Sequence, residues 1–201
     1  MNRAELGALG EEKARLRRRL LAARAQRTQE QRAAAGRALR DAILAMPQAQ
    51  MAGTVAAHYS LPSEPDSRGL VYGLWKRGTY VLLPVLRADD DLDWASYEGP
   101  DSLREGRRGL SEPAEPPRGP DAISRADLVL VPALAVDRRG RRLGRGGGSF
   151  DRALARVGPL VPTVALLFDD ELLAEVPAGP HDQRVRMVAR PGHGISELPP
   201  P

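Results

Sequence analysis

At 201 residues the chain is long enough for one domain with a full hydrophobic core, and its 42% apolar and 28% charged residues exclude disorder of the whole chain. Cysteine is absent, which excludes disulfides, cysteine-ligated zinc and a thiol nucleophile. The net charge is only +4, a balance that suits a polyanionic small substrate and equally suits weak binding to RNA.

The N-terminal segment predicts two helices. In the first, Leu9, Leu16 and Leu20 recur at helical spacing. Thr28 fits the N-cap of a second helix, which ends before Pro47. We interpret the arginines of the first helix mostly as a solvated face, formed by Arg15, Arg17, Arg18, Arg19 and Arg24.

The rest of the chain alternates short apolar runs with helical segments. The runs predicted to be strands are Thr54–Tyr59, Thr79–Val85, Asp127–Val131, Val161–Leu167 and Arg184–Val188. Helices are predicted over Pro65–Arg77 and Phe150–Val157. Continuous apolar strands separated by helices are typical of a mostly parallel sheet covered on both faces. We therefore expect an α/β fold with a single domain over residues 1–190, built on a Rossmann-like sheet flanked by helices.

Two segments are predicted to lack regular structure. Asp89–Pro120 is rich in Asp, Gly and Pro, so we expect it to form a long excursion over the surface. It contains Trp94 and Tyr97, which either pack inside the protein or cover a substrate. The tail, Pro191–Pro201, is expected to be disordered.

The most informative stretch follows the third predicted strand, where the glycine-rich segment Gly144–Gly148 leads into a helix. Glycines can adopt positive φ and turn successive main-chain N–H groups inward, which makes a receptor for anions. Arg142 and Arg145 can fork onto phosphate oxygens, and Asp151 is placed to hold a metal ion that bridges phosphates. The pattern is neither a Walker A loop nor a GxGxxG motif. The alternative is a flexible glycine hinge with solvated arginines.

These residues resemble the signature of a known family. The segments Pro132–Asp137, Gly140, Arg142–Gly148 and Phe150–Arg152 are similar to the block PGLAFD..G.RLG.GGGYYDR of 5-formyltetrahydrofolate cyclo-ligases, also called 5,10-methenyltetrahydrofolate synthetases. Weaker matches follow in the expected order at Lys13–Arg17, Tyr59, Glu64, Pro84, Glu112–Pro113 and His181–Asp182. The resemblance covers nearly the whole chain and implies a fold of the NagB/RpiA/CoA-transferase-like type.

The resemblance implies an enzyme that converts 5-formyltetrahydrofolate into 5,10-methenyltetrahydrofolate, with ATP and Mg²⁺ as cofactors and ADP and phosphate as products. The formyl oxygen is a poor leaving group, so ring closure requires that it is first phosphorylated. Phosphoryl transfer depends mainly on positioning and on stabilisation of charge, for which neither cysteine nor a Ser-His-Asp set is needed.

The family's site residues carry over to the matching positions. The resemblance implies that ATP contacts Lys13, Arg17, Arg142, Leu143, Gly144, Arg145, Gly146, Gly147, Gly148, Ser149 and Phe150. It implies that the folate contacts Tyr59, Glu64, Arg145, Gly146, Gly147, Gly148 and Ser149. Arg145 would be the catalytic residue that stabilises charge on the transferred group, and Asp151 and Asp182 would bind Mg²⁺. On composition alone, Glu64 in its Pro-Ser-Glu-Pro segment would instead face solvent.

Departures from the family pattern keep other interpretations open. Ser149 stands where the family has a tyrosine, Gly179 replaces a frequent acidic residue, and Arg186 stands where an aspartate is common. One alternative is therefore a catalytically weak or divergent relative that acts on another formamide-like substrate. Another is a basic nucleotide- or RNA-binding module, against which stand the balanced charge and the low aromatic content of 4%.

The partners expected from the sequence are small molecules. No apolar run approaches the roughly 20 residues that a membrane span needs, and the N-terminus lacks the apolar core of a secretory signal. We expect a cytoplasmic monomer that binds 5-formyltetrahydrofolate, without a membrane and without a dedicated nucleic-acid partner.

Overall fold

The computed structural model describes residues 2–199. Its α-helices are α1 (Arg3–Ala25), α2 (Gln29–Ala45), α3 (Pro47–Met51), α4 (Arg68–Lys76) and α5 (Ser149–Leu154). Its strands are β1 (Thr54–Ala56), β2 (Tyr80–Leu86), β3 (Leu92–Ser96), β4 (Leu103–Glu105), β5 (Ser111–Pro113), β6 (Leu128–Pro132), β7 (Ala135–Asp137), β8 (Arg142–Leu143), β9 (Thr163–Leu166), β10 (Leu172–Leu173), β11 (Met187–Arg190) and β12 (Gly194–Glu197). Short 3₁₀ helices cover Pro100–Ser102, Arg107–Gly109, Pro120–Arg125 and Asp169–Glu171.

The two long helices begin at side-chain caps. The Asn2 side chain accepts hydrogen bonds from the main-chain N–H groups of Ala4 and Glu5, at 3.0 and 2.9 Å. The Thr28 hydroxyl accepts one from Gln31 at 3.1 Å, and the Gln31 side chain accepts one in return from the Thr28 N–H group. These reciprocal bonds satisfy main-chain donors that a helix start leaves free. The predicted cap at Thr28 is confirmed.

A seven-stranded sheet forms the centre of the described chain, in the order β12-β11-β9-β6-β1-β2-β3. The inner strands β11, β9, β6, β1 and β2 run parallel, and β12 and β3 are antiparallel at the two edges. Inner strands buried on both faces are encoded by continuous apolar runs, as in β6, where Leu128–Val131 is fully buried. The predicted α/β fold with a mostly parallel sheet is confirmed.

Alternate strand residues enter two separate cores. In β6, Leu128 and Leu130 join the core under α2 and α4, whereas Val129 and Val131 join the core on the opposite face, under α5. A third, smaller cluster attaches α1 to the strands beside the main sheet through Leu20. Helices therefore cover both faces of the sheet. No helix within residues 2–199 is both long and apolar enough to cross a lipid bilayer.

The segment Asp89–Pro120 is more ordered than we predicted. It contains β3, which pairs with β2 and completes one edge of the sheet. Trp94 is 0% and Tyr97 2% exposed, so both aromatic residues pack in the interior and neither covers a substrate. The strand was missed because aspartates surround it: Asp93 accepts hydrogen bonds from the N–H groups of Trp94 and Gly119, which gives a polar residue a structural place within a strand.

The tail also differs from its prediction. Gly194–Glu197 forms β12, and this part of the predicted disorder is wrong. Gly194 has a φ of 65° and ends a tight turn after β11, a conformation that glycine adopts without strain. Ile195 then packs against the core. Pairing with β12 satisfies the main-chain groups that β11 would otherwise expose at the edge of the sheet.

The chain order creates a place for a ligand between β1 and β6. From β1 the chain passes through α4 to β2 on one side, and later returns to β6 on the other side. In open α/β sheets, ligands bind beyond the carboxyl ends of the strands where the order reverses in this way. The antiparallel pair β7–β8 lies just after β6 in sequence and carries the glycine-rich segment to that position.

Candidate active site

A cavity of about 470 Å³ opens at the carboxyl ends of β1, β2 and β6. It is lined by α1, by the residues after β1, by the β4–β5 hairpin and by the glycine loop, defined as residues 144–148. Every residue that the sequence analysis assigned to ATP, folate or Mg²⁺ lines this one cavity. The structure thus brings the predicted site residues together, and their contacts with ligands stay predictions.

The glycine loop has the backbone conformation expected of an anion receptor. Gly146 has a φ of 112° and Gly148 a φ of 69°, both in the region that favours glycine. The main-chain N–H groups of Gly146, Gly147 and Gly148 donate to no acceptor within residues 2–199. Gly146 and Gly147 are exposed. These donors are therefore free to bind a ligand in the cavity.

Helix α1 supplies one wall of the cavity. Lys13, Arg17, Leu20 and Arg24 follow one another at intervals of three and four residues, which places them on one face of the helix. The Arg17 Nε donates to the carbonyl oxygen of Gly144 at 2.9 Å. Lys13 forms an ion pair with Asp182. The helix thereby brings Arg17 to the start of the glycine loop and Lys13 to Asp182, another residue that lines the cavity.

Arg24 corrects the interpretation of this helix as a largely solvated arginine face. Its side chain is fully buried, and it donates to both carboxylate oxygens of Glu171 at 2.7 and 2.8 Å and to the carbonyl oxygen of Ala133 at 2.6 Å. The arginines that point away from this stripe are exposed, namely Arg15, Arg18 and Arg19. Arg24 therefore fixes α1 against the segment that follows β6, which a count of charges along the sequence could not reveal.

Arg142 also occupies a different position from the one expected. Its side chain is 2% exposed, so the guanidinium is enclosed by the protein. It donates to the carbonyl oxygen of Pro132 at 3.1 Å and to Asp151 Oδ1 at 2.8 Å. In this arrangement the side chain holds the beginning of the glycine loop to the end of β6, where the sequence analysis expected a fork onto phosphate. The neighbouring Leu143 is 1% exposed and packs in the third core.

The two carboxylates assigned to Mg²⁺ lie on the same side of the cavity. Asp151 Oδ1 accepts the main-chain N–H of Gln183 at 3.2 Å, which brings it beside Asp182. Asp182 accepts hydrogen bonds from Lys13 and from the N–H of Gly179. Within the described residues, no three His, Asp or Glu side chains converge as a metal site. Two carboxylates nevertheless suit Mg²⁺, which commonly completes its shell with phosphate oxygens and water.

Arg145 and Glu64 form an ion pair that joins the glycine loop to the segment after β1. Arg145 donates from Nε to Glu64 Oε1 at 3.0 Å and from Nη2 to the hydroxyl of Ser63 at 2.8 Å. The other carboxylate oxygen of Glu64 accepts the N–H of Leu61 at 2.9 Å. The Glu64 side chain is only 8% exposed, so the expectation from composition that it faces solvent is wrong.

Ser149, one of the departures from the family pattern, begins α5 and lines the cavity together with the next residue, Phe150. The Phe150 ring meets the buried Trp94 ring edge-on, with 6.3 Å between their centroids. The side chain of Arg186 turns away and donates to the carbonyl oxygen of Pro159. Its positive charge is therefore directed at a main-chain acceptor and not into the cavity.

His58 is a cavity residue that the sequence analysis missed. It lies two residues after the end of β1, is 4% exposed and lines the cavity, with Nδ1 at 3.4 Å from the carbonyl oxygen of Leu130. Burial lowers the pKa of His58 below its usual 6.5, so the ring is neutral near physiological pH. Burial likewise raises the pKa of Tyr59, the next residue, whose hydroxyl therefore stays protonated. The available signal was position, because residues after an inner strand lie at the ligand edge of the sheet.

Comparisons with known proteins identify the family. A family model described as the 5-formyltetrahydrofolate cyclo-ligase family matches residues 9–191. The chain is 44% identical over 150 residues to a 5-formyltetrahydrofolate cyclo-ligase of Mycolicibacterium smegmatis, covering 72% of this chain and 77% of that protein. It is 35% identical over 129 residues to the 5-formyltetrahydrofolate cyclo-ligase of Escherichia coli K12, covering 63% and 71%.

A solved structure supports the same assignment at the level of the fold. The NMR structure of 5,10-methenyltetrahydrofolate synthetase from Aquifex aeolicus matches with a TM-score of 0.80 at 24% identity, over 92% of each chain. At this identity the likeness concerns the architecture alone, whereas the family model and the curated relatives concern the sequence. On the strength of those sequence matches, the chain belongs to the 5-formyltetrahydrofolate cyclo-ligase family.

Proposed function

We propose that this protein catalyses the ATP- and Mg²⁺-dependent cyclisation of 5-formyltetrahydrofolate to 5,10-methenyltetrahydrofolate, with release of ADP and phosphate. The observation that carries the proposal is the convergence, in one cavity, of free glycine-loop N–H groups, the cations of α1 and the buried carboxylate of Glu64. Groups that can bind phosphates thus share one cavity with a carboxylate that can accept hydrogen bonds from the N–H groups of a heterocycle, and this combination supports the proposed reaction.

The phosphate half of the cavity is the glycine loop with its two neighbouring cations. Free N–H groups at Gly146, Gly147 and Gly148 can donate to phosphate oxygens, and they need no rearrangement of the protein to do so. Lys13 and Arg17 add positive charge from α1. Arg142 stabilises this half without facing the ligand. Its hydrogen bonds to the carbonyl oxygen of Pro132 and to Asp151 fix the positions at which the glycine loop and α5 begin.

The residues present fit a magnesium ion held partly by the substrate. When bound, Mg²⁺ would neutralise charge on the phosphates, with Asp151 and Asp182 as its protein ligands. Each aspartate already has a defined orientation, Asp151 through Arg142 and Gln183, and Asp182 through Gly179. The ion pair between Lys13 and Asp182 also keeps the lysine at the edge of the phosphate half.

The folate half of the cavity centres on Glu64. One of its oxygens is oriented by the N–H of Leu61, and the other is occupied by Arg145. A carboxylate held in this way can accept hydrogen bonds from the amino and ring N–H groups of a pterin. Tyr59 offers a protonated hydroxyl in the same cavity. Apolar surface for the rest of the ligand comes from Pro84, Leu86, Leu92 and Phe150.

Arg145 connects the two halves and is assigned the catalytic role. In the reaction the formyl oxygen attacks the γ-phosphorus and ADP leaves. Nitrogen 10 then attacks the formyl carbon, and phosphate departs with the former formyl oxygen. The Arg145 side chain is 40% exposed, so its ion pair with Glu64 can be exchanged for the transferring phosphoryl group. A guanidinium at that position stabilises the charge that develops during transfer.

A direct assay tests the proposal. Purified protein is mixed with 5-formyltetrahydrofolate, Mg²⁺ and ATP, and the absorbance of the methenyl product is followed, with omission of ATP as the control. ATP-dependent product is expected. Absence of product at micromolar enzyme, from protein that circular dichroism shows to be folded, would contradict the proposal. Turnover of a different formamide under the same conditions would favour the divergent-relative alternative.

A further inference from the structure

The β4–β5 hairpin carries an arginine in a backbone conformation that arginine rarely adopts. Arg108 lies at the tip of the hairpin with a φ of 56° and a ψ of 26°, in the left-handed region. Among residues 2–199, Arg108 and Asp90 are the non-glycine residues with positive φ. Side chains other than glycine are strained there, and such strain is retained where the surrounding structure or a function requires it.

The two strained residues bind each other at the cavity. Arg108 donates from Nη2 to Asp90 Oδ1 at 2.6 Å. The carbonyl oxygen of Asp90 accepts a hydrogen bond from Arg152, which also donates to the carbonyl oxygen of Gly147 at 3.2 Å. The hairpin is thereby connected, through Asp90 and Arg152, to the glycine loop. This connection holds the Arg108 guanidinium beside the cavity, which Arg108, Leu110 and Ser111 line from the hairpin.

The ion pair of Arg108 is easily exchanged for a ligand. Its guanidinium side chain is 60% exposed and that of Asp90 is 39% exposed. An ion pair so open to water is weak, because water screens it and both side chains lose freedom in forming it. A carboxylate brought to the same place by a bound ligand can therefore replace Asp90 as the partner of Arg108 at little cost.

The cations of the cavity differ in the elements that carry them. Lys13 and Arg17 come from α1, Arg142 lies in β8, and Arg145 lies in the glycine loop. All four therefore adjoin the phosphate half. Arg108 alone among the cavity's described cations comes from the hairpin, where its lining neighbour Leu110 is apolar. An apolar surface that ends in a cation matches an aromatic ring followed by a carboxylate.

We propose that Arg108 is a specificity-determining residue that binds a carboxylate of the substrate's glutamyl tail. The inference rests on the proposed function. In a folate, the pterin is followed by a benzoyl ring and then by a glutamate with two carboxylates. With the pterin at Glu64 and the benzoyl ring on the apolar wall of Leu86, Leu92 and Phe150, the glutamyl carboxylate reaches the hairpin. The Arg108 guanidinium then donates to it in place of Asp90.

The test compares two substrates and three variants. The substrates are 5-formyltetrahydrofolate and the primary amide of 5-formyltetrahydropteroate, an analogue that lacks the glutamyl residue and carries no carboxylate. The variants are Arg108→Gln, Arg108→Lys, and Arg107→Gln as the matched control, because Arg107 is exposed on the same hairpin but does not line the cavity. KM and kcat are measured for each folate substrate and for ATP.

Arg108→Gln is expected to raise KM for 5-formyltetrahydrofolate about tenfold, through loss of a charge-assisted hydrogen bond, and to leave KM for the pteroate analogue unchanged. The kcat and KM for ATP should also stay unchanged. Arg108→Lys should recover most of the loss, and Arg107→Gln should have no effect. An equal rise for both folate substrates, a rise in KM for ATP instead, or no change would each overturn the assignment.

Failure of the proposed function can be told apart from failure of this inference. If wild-type protein formed no methenyl product, the proposed activity would be wrong, and binding of the two folates would be measured by calorimetry. Weaker binding of 5-formyltetrahydrofolate by Arg108→Gln, with unchanged binding of the pteroate analogue, would still support the carboxylate site. Equal binding of both folates by wild-type and Arg108→Gln protein would overturn it.

Discussion

Two groups of arginines meet at this site, and they differ in how far water reaches them. Arg24 and Arg142 have side chains that are 0% and 2% exposed, and both donate to a main-chain carbonyl oxygen and a carboxylate. Arg145 and Arg108 are 40% and 60% exposed, and each is paired with one carboxylate. The buried arginines hold the elements of the site in place, whereas the exposed arginines have partners that a ligand can replace.

The energetic difference follows from solvation. A buried charge that loses its partner is left without water or a counter-charge, so breaking such a pair is strongly destabilising. An exposed pair loses little when it opens, because water solvates both ions. Fixed arginines can therefore orient α1 and the glycine loop, and exposed arginines can follow the substrate.

The largest expected effect comes from a substitution that breaks the buried ion pair between Arg24 and Glu171. Glu171→Ala leaves the Arg24 guanidinium buried without its carboxylate, and we expect the free energy of unfolding to fall by about 3–5 kcal/mol. Asp170→Ala is the matched control on the adjacent residue, whose ion pair with Arg27 is 63% exposed on the aspartate side; we expect a loss below about 1 kcal/mol. Urea denaturation measures both. Similar losses in the two variants would contradict the contrast.

The next effect concerns catalysis. Arg145→Ala should lower kcat on the order of 100-fold or more, because charge on the transferred group loses its stabilisation. The free energy of unfolding should fall by about 1–3 kcal/mol, because the loss of Arg145 leaves the buried Glu64 carboxylate with the N–H of Leu61 as its remaining hydrogen-bond partner. Ser63→Ala, which removes the other partner of Arg145 and leaves the guanidinium in place, is the control. A nearly intact kcat in Arg145→Ala would show that the role is misassigned.

A smaller effect distinguishes two glycines of the same loop. Gly148 has a φ of 69°, and an added Cβ would lie 3.1 Å from Arg152 Nη1. Gly148→Ala should therefore cost about 1–2 kcal/mol in the free energy of unfolding and raise KM for ATP. At Gly147 the φ is not positive and the added Cβ meets only Ser149 Oγ at 3.5 Å, an ordinary contact, so Gly147→Ala should leave the free energy of unfolding close to that of the wild-type protein. Equal destabilisation of both variants would count against the loop conformation.

The smallest effect is a dependence of stability on pH. Burial lowers the pKa of His58, so on acidification the unfolded chain takes up this proton before the folded protein does. The free energy of unfolding is therefore highest above pH 6.5 and falls as the pH drops below it, by up to about 1.4 kcal/mol per pH unit. His58→Gln should flatten this part of the curve in urea titrations at several pH values. An unchanged slope would mean that another group causes it.

Local pattern predicted the central elements well. The apolar run Asp127–Val131 and the cap at Thr28 each correspond to an observed element, because burial on both sheet faces and N-capping leave direct marks on neighbouring residues. The strand β3 was missed because Asp93 is stabilised by Gly119, a residue distant in the sequence. The strand β12 was also missed, because it forms by pairing with β11 and that sheet edge cannot be recognised from the sequence around β12.

The site shows a similar division. The glycine loop was visible because positive φ demands glycine at Gly146 and Gly148, whatever lies around them. The burial of Arg24, Arg142 and Glu64 could not be predicted from the sequence, because a charged residue is buried only where other elements of the fold bring it a partner. Sequence patterns and the family resemblance thus identified many of the residues that gather at the cavity, although not His58 or Arg108. The structure separates the residues that fix the shape of the cavity from those that are open to a ligand.

The most direct test is a crystal structure of the protein with Mg²⁺ and a non-hydrolysable ATP analogue. We predict phosphate oxygens within hydrogen-bond distance of the N–H groups of Gly146, Gly147 and Gly148, with Lys13 or Arg17 beside them. A triphosphate bound elsewhere, with the N–H groups of the glycine loop directed at solvent and making no contact with it, would contradict the account.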